Sequence, residues 1–355
     1  MTEKRRRTEN TKFFGLTARG YRMPAEWEPH RGTWLSWPHN PKSFFTALEG
    51  AQEGFADMIM HLARVEEVHV NLNDDAAEAK LKRKLKARKV ERNVFLHRFP
   101  TNDAWCRDHG AIILKHKKSG QLVATDWIFN AWGGKYPSAK DNRIAGKMAG
   151  YLGLARFQFP VVLEGGSIDV NGQGLLLTTE LCLLNRNRNP QYSRKEIETL
   201  LKSNLGVRKI LWLKDGIAGD DTDGHIDDLA RFTDPRTIVT VVEDDPSDAN
   251  YSFLKENLEL LKSLRDLDGQ PFRIVTLPMP EPRYYRKDER LPASYANFYV
   301  ANGIVLLPTF DCPQDQEAVR ILGKLFPGRQ IVKIDATDII VGLGTCHCLT
   351  QQIPL

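Results

Sequence analysis

Gly344-Thr-Cys-His-Cys-Leu-Thr-Gln-Gln-Ile-Pro354 places two cysteines and a histidine almost at the end of the chain. Chain ends fray unless packing ties them down, so a tail that carries chemistry-bearing side chains predicts a terminus buried as a strand beside a site. Gly342 and Gly344 would give the backbone freedom to bring a side chain close to a ligand. Cys348 is therefore a candidate nucleophile, set against the plainer reading in which Cys346 and Cys348 are small buried hydrophobes. The two thiols stand two residues apart, so strand alternation does not separate them.

Working back from that tail, strand pairs and single helices recur without a linker or a break in composition. Strands are expected over 33–37, 67–72, 93–99, 111–115, 122–127, 209–213, 238–242, 272–277, near 295–300, and over 304–307 and 330–334. Helices are expected over 43–62, 142–152, 194–203, 251–264 and 314–325. Asn171-Gly172 between two apolar runs signals a hairpin, and hairpins argue against a purely parallel sheet, which needs a crossover at every step. One repeated-unit α/β domain over residues 21–355, behind a flexible basic segment at 1–20, fits better than two independent domains.

The chain has 355 residues, 41% hydrophobic and 27% charged, with seven tryptophans. That is the profile of a globular enzyme rather than a disordered or fibrous chain. Five cysteines, an odd number with no CxxC pair, point to reduced thiols in a cytoplasmic protein. Met1 to Arg7 is positive but precedes no apolar run, and no stretch approaches the roughly 18 apolar residues of a membrane helix. The formal charge of +5 collects at Lys4 to Arg7 and Lys80 to Lys89. The second segment follows Asp74 and Asp75 and repeats Leu81, Leu85 and Val90, the pattern of a solvated amphipathic helix. A nucleic-acid partner would be better supported by interleaved aromatics or a known motif, and neither is present.

His225 and Asp227 stand two apart in a strand-like stretch, so an imidazole and a carboxylate would enter one pocket, against the alternative of a surface pair. Asp103, Trp105 and Arg107 would share a side of an extended backbone, and a carboxylate beside an indole is a receptor for a planar cation. The rival there is a structural pair between Asp108 and Arg107. Glu164, before Gly165 and Gly166, could orient a catalytic imidazole. Zinc is the competing use of Cys346, Cys348 and His225, but no second Cys/His pair at ligand spacing supports a metal.

Six motifs then stand in order: Met23-Pro-Ala-Glu-Trp-x-Pro-His, Asn102-Asp-x-Trp-x-Arg-Asp, Phe129-Asn-Ala-Trp-Gly-Gly, Glu164-Gly-Gly, Gly224-His-Ile-Asp and His347-Cys-Leu-Thr-Gln-Gln-x-Pro. Together they resemble the agmatine deiminase family, grouped with the Porphyromonas-type peptidylarginine deiminases in the guanidino-group-modifying, or pentein, superfamily. The resemblance implies a five-bladed α/β propeller of pseudo-fivefold repeats with a central active site. Position by position, it implies Cys348 as nucleophile, His225 as acid/base, Glu164 as the partner of that histidine, and Asp227 and Asp103 as guanidinium-binding carboxylates beside Trp105. It implies no metal or organic cofactor. The implied reaction is hydrolysis of agmatine to N-carbamoylputrescine and ammonia, with peptidylarginine or another guanidino compound as the alternative substrate. The implied partner is that small molecule, not a nucleic acid or a membrane, with a homo-oligomer left open.

Overall fold

The structure is a computed structural model, and residues 15–355 are described. The expectation of a flexible basic segment therefore lies largely outside the described residues. In chain order come β1 (Tyr21–Arg22), β2 (His30–Ser36), α1 (Leu48–Leu62), β3 (Glu67–Asn71), α2 (Asp75–Ala87) and β4 (Val94–His97). Then follow β5 (Ile112–His116), β6 (Leu122–Ile128), α3 (Ile144–Leu152), β7 (Ala155–Val162), β8 (Asp169–Val170), β9 (Leu175–Thr179), α4 (Arg194–Leu205) and β10 (Lys209–Leu213). The last part holds β11 (Ala230–Asp234), β12 (Thr237–Val242), α5 (Tyr251–Ser263), β13 (Arg273–Pro278), β14 (Tyr299–Ala301), β15 (Ile304–Thr309), α6 (Gln314–Leu325), β16 (Gln330–Asp335) and β17 (Thr350–Pro354).

These strands form five separate mixed sheets. Four share one plan: a hairpin of two antiparallel strands, then a helix, then a strand parallel to the second. They are β5-β6-β7, with β1 added at its edge, β8-β9-β10, β11-β12-β13 and β14-β15-β16. The fifth takes its hairpin partner from the far end of the chain. There β17 runs antiparallel to β2, and β3 and β4 follow in parallel through α1 and α2. The tail is thus tied down as a strand with every residue of 350–354 buried, as its sequence led one to expect.

Local chemistry explains the boundaries. Ser193 and Glu196 form a capping box at the start of α4, and Gly206 ends it at φ 75°. Asp74 accepts from the amide of Ala77 to start α2, which buries Leu81 and Leu85 and, paired with Glu49 and Glu53, also Lys84. The Asn171-Gly172 hairpin forms with the side chain of Asn171 accepting from the amides of Gln173 and Leu175. No helix among the described residues is long and apolar enough to cross a membrane.

The repeated plan matters for what it positions. Each sheet's first hairpin strand is preceded by a tight turn: 106–109 before β5, 165–167 before β8, 226–228 before β11, 295–297 before β14, and the turn at 345–349 before β17. The turns pack on one another around one buried cluster, to which 165–167 gives the Gly166 amide and the other four give side chains.

Candidate active site

Cys348 is buried in the turn before β17, and its Sγ lies 3.7 Å from Asp227 Oδ2 and accepts a hydrogen bond from Asn297 Nδ2 at 3.0 Å. Asn297 is the hub on this side. Its Nδ2 also donates to Asp228 Oδ1 (2.9 Å), while its Oδ1 accepts from Thr345 Oγ1 and from the amides of His347 and Cys348. Gly344 is required by close approach, because a Cβ there would sit 2.7 Å from the Trp105 ring and 3.1 Å from Cys348 Sγ. Burial, then Asp227, Asp228 and Asp108, push the Cys348 thiol well above its ordinary range. It rests as a neutral thiol.

Asp227 stands between the thiol and His225. Its Oδ2 bonds His347 Nδ1 at 2.6 Å, and its Oδ1, without a partner, is 4.0 Å from His225 Nδ1. His347 is held at its other nitrogen by Glu26 (2.8 Å), which also pairs with Arg231 and Arg107. His225 lies 3.8 Å from Asp108 Oδ1 and is fully buried. Burial works against its charge, but Asp108, the Cys182 thiol and Asp227 outweigh it and raise His225 well above its ordinary value. Asp108 takes the indole N–H of Trp132 at 3.0 Å and the amide of Gly166 at 2.9 Å. Burial first, against His225 and with Asp227 and Glu164, pushes it up to about 6.

The Glu164-Gly-Gly motif now has a physical reading. Glu164 is buried and accepts from Arg188 Nε at 2.7 Å, and Arg188 also bonds Asp223. A Cβ on Gly165 would meet the carbonyl of Arg107 at 2.2 Å. One on Gly166 would meet His225 Nδ1 at 2.6 Å and Asp108 Oδ1 at 2.8 Å. Both glycines let the turn lie flat under the imidazole.

Of the sequence-derived residues, Cys348, His225, Asp227 and Glu164 come together, and Trp105 covers the glycine loop beside Cys348. Asp103 stands apart from them. Its carboxylate accepts from Ser43, Asn40 (3.1 Å) and the amide of Ala104 (2.8 Å), and no hydrogen bond or ion pair joins it to His225, Asp227 or Cys348 among the described residues. Two backbone expectations fail. Residues 226–228 form a 3-10 turn, not a strand, and 106–109 form a helical turn, not an extended segment. The turn sends Asp108 into the cluster, while Arg107 is buried against Glu26 and Gln352. The sequence reading takes Asp108 only as a structural partner of Arg107 and assigns no role to Asn297, His347, Glu26, Cys182 or Arg188; His347 and Glu26 lie inside quoted motifs, while no local pattern marks the other three. The acidic loop is already spoken for. Asp220 caps the amides of Thr222, Gly224 and His225, Asp221 pairs with Lys135 and Tyr136, and Asp223 with Arg188 and Lys135.

The family model for Porphyromonas-type peptidyl-arginine deiminases matches residues 22–354. The chain belongs to that family. A protein of Legionella pneumophila is 41% identical over 341 residues, covering 94% of this chain and 95% of its own. The agmatine deiminase of Pseudomonas aeruginosa is 38% identical over 360 residues, covering 95% and 96%. Among solved structures, the agmatine deiminase of Enterococcus faecalis superposes with a TM-score of 0.90 at 29% identity, covering 96% of this chain and 97% of that one. A substrate-bound Cys→Ser agmatine deiminase of C. jejuni superposes with a TM-score of 0.85 at 34% identity, covering 94% and 96%.

Proposed function

We propose that this chain is an agmatine deiminase, hydrolysing agmatine to N-carbamoylputrescine and ammonia in a single domain spanning 21–355. Its five sheets are read as the blades of a propeller whose preceding turns meet at a central site. The observation that carries the reading is the cluster of buried carboxylates, Asp108, Asp227 and Asp228, around the Cys348 thiol and the His225 imidazole. Burying several carboxylates together is costly unless a cation joins them. A guanidinium, planar and with five N–H donors, is suited to bridge Asp227 Oδ1 and Asp108, with its carbon toward Cys348 Sγ.

The same charges set the order of events. The carboxylates that keep Cys348 protonated would be offset by the arriving cation, so substrate itself favours the thiolate, and the Sγ proton is lost to solvent as substrate binds. Sγ attacks the guanidinium carbon, and a C–N bond breaks as His225 gives its proton to the departing nitrogen, which leaves as ammonia. The now neutral His225 takes a proton from water, the hydroxide adds to the same carbon, and the C–S bond breaks to expel the thiolate; the proton left on the added oxygen passes to the sulfur, which restores the Cys348 thiol and frees the neutral carbamoyl product. Glu164, fixed by Arg188 and within 4.8 Å of the ring, is assigned the role of orienting the imidazole as it changes charge. No metal or organic cofactor is needed in this scheme.

Asp103 is assigned further along the substrate chain. Its charge acts on Tyr136, whose ring meets Trp132 edge-on, and Trp132 in turn donates to Asp108. A carboxylate at that remove, held only by neutral donors, suits the distal amine of agmatine better than the guanidinium. The deciding experiment compares kcat/KM for agmatine, free arginine and an arginyl peptide. Preference for either carboxylate-bearing substrate would overturn the assignment.

A further inference from the structure

Beside His225, a second thiol enters the site. Cys182 lies in the helical turn Glu180–Leu183, fully buried. Thr179 fixes it there: the Thr179 hydroxyl accepts from the Cys182 amide at 3.2 Å and donates to the carbonyl of Gly224 at 2.6 Å, clipping this turn to the residue before His225. One ligand atom each from Glu164, Cys182 and His225 lies within 4.8 Å of the others. Glu164 Oε2 and both ring nitrogens of His225 are buried without a hydrogen-bond partner. Orphaned buried polar atoms ask for an explanation, and Glu164 and His225, two of the three side chains in this cluster, carry them.

We infer that Glu164, Cys182 and His225 form an inhibitory site for zinc or a similar borderline divalent cation. Thiolate, imidazole and carboxylate are the usual zinc donors, and three protein ligands leave a fourth position for water. A second cluster, Asp227, Asp228 and Cys348, has comparable spacing, but two of its three side chains are committed to Asn297, through Asp228 Oδ1 and Cys348 Sγ, and Asp227 keeps only Oδ1 unpartnered. The carboxylate cluster that would draw a guanidinium also favours a dication. Binding releases the Cys182 proton, and any proton on His225, to solvent. It occupies an imidazole nitrogen that acid–base chemistry needs, so metal and turnover exclude each other. The inference rests on reading His225 as the acid/base.

The full-length protein, stripped with chelator, is titrated with Co²⁺ and followed by the sulfur-to-cobalt charge-transfer absorbance, which reports thiolate ligation. The expected result is one equivalent bound, with the band kept in Cys348→Ala and lost in Cys182→Ser. A band lost in Cys348→Ala, kept in Cys182→Ser, or absent from the unaltered protein overturns the site. The Cys348→Ala arm decides even where the Cys182 variant folds poorly. In parallel, Zn²⁺ should inhibit turnover reversibly, and Cys182→Ser should weaken that inhibition by more than about tenfold relative to its own uninhibited rate, since even groups behind a metal ligand are worth roughly that much. Absorbance needs no substrate, so a protein inactive on agmatine that still showed the band would refute the deiminase reading and support the metal site.

Discussion

Two buried histidine sites in this chain are held in opposite charge states by their neighbours. His97 and His69 share a 3.0 Å hydrogen bond and lie in a column of rings with Trp34, Phe95 and Phe99. Burial, with His69 adding to it, lowers His97 to about 4. His225 is buried more deeply, yet Asp108, Cys182 and Asp227 raise it. Burial alone favours the neutral ring in both places. The carboxylates decide the difference, and they decide which histidine can hold a proton to give away.

The largest effect expected from breaking that difference is at the thiol. Cys348→Ala should lower kcat on the order of 10⁶-fold, as loss of a nucleophile does in enzymes of this kind, while Cys346→Ala should keep turnover. Cys346 is also buried, with burial pushing its thiol up beyond its ordinary range and no carboxylate or imidazole beside it. The reverse pattern in steady-state assays would remove Cys348 from the mechanism. Next comes the charge that raises His225. Asp108→Asn should cost roughly 10²- to 10³-fold in kcat/KM, the scale of losing one preorganised electrostatic partner, whereas Asp103→Asn should act mainly on KM. Equal losses of kcat at both positions would return Asp103 to the guanidinium.

How much of this was legible in the sequence follows from distance along the chain. Strands, helices and hairpins answer to local periodicity, and most were read correctly. Cys348 and Glu164 stand out in the sequence beside glycines, whereas His225 and Asp227 stand out by a two-residue spacing read as strand alternation, which the 3-10 turn at 226–228 replaces. Asp108 was not assigned to the substrate because Asn102 to Asp108 was taken as extended; a helical turn at 106–109 changes which residues share a side. Asn297 and Cys182 carry no local mark. They matter because equivalent turns of different repeats converge, and convergence is a property of the sheets' arrangement.

Gly166→Ala sharpens the same point with a smaller effect. The added methyl would press on His225, Asp108 and Asp227, so overpacking of about 1–3 kcal/mol in stability is expected, with activity lost in proportion to the displaced imidazole. Thermal melts and kcat together check it. A variant with unchanged kcat would show that the imidazole's position is not critical. A pH profile tests the electrostatics without mutation. Asp108 must be ionised to accept guanidinium N–H groups, and it sits at about 6 in the free protein, so kcat/KM should fall as pH drops through that value. An acid limb absent down to pH ~4.5, well below the shifted carboxyl, would contradict the assignment.

The smallest effect belongs to the other histidine site and concerns stability alone. His97 is held near 4 in the folded state against an ordinary value of 6.5. The folded protein therefore binds fewer protons than the unfolded chain between those values. Stability contributed by the neutral ring is fully present above about 6.5, erodes as pH falls below it, and is lost once pH passes the folded value. His69 is lowered in the same direction, and protonating both rings would break their mutual hydrogen bond. His109, also buried and lowered to about 3, adds a parallel slope. His97→Phe keeps a flat ring against Trp34 and removes one titrating group, so its Tm should decline less steeply than that of the unaltered protein between pH 7 and 4, while kcat on agmatine stays unchanged. Identical slopes would mean that the ring column is not a source of acid sensitivity, and a loss of kcat would mean that the two histidine sites are coupled rather than independent.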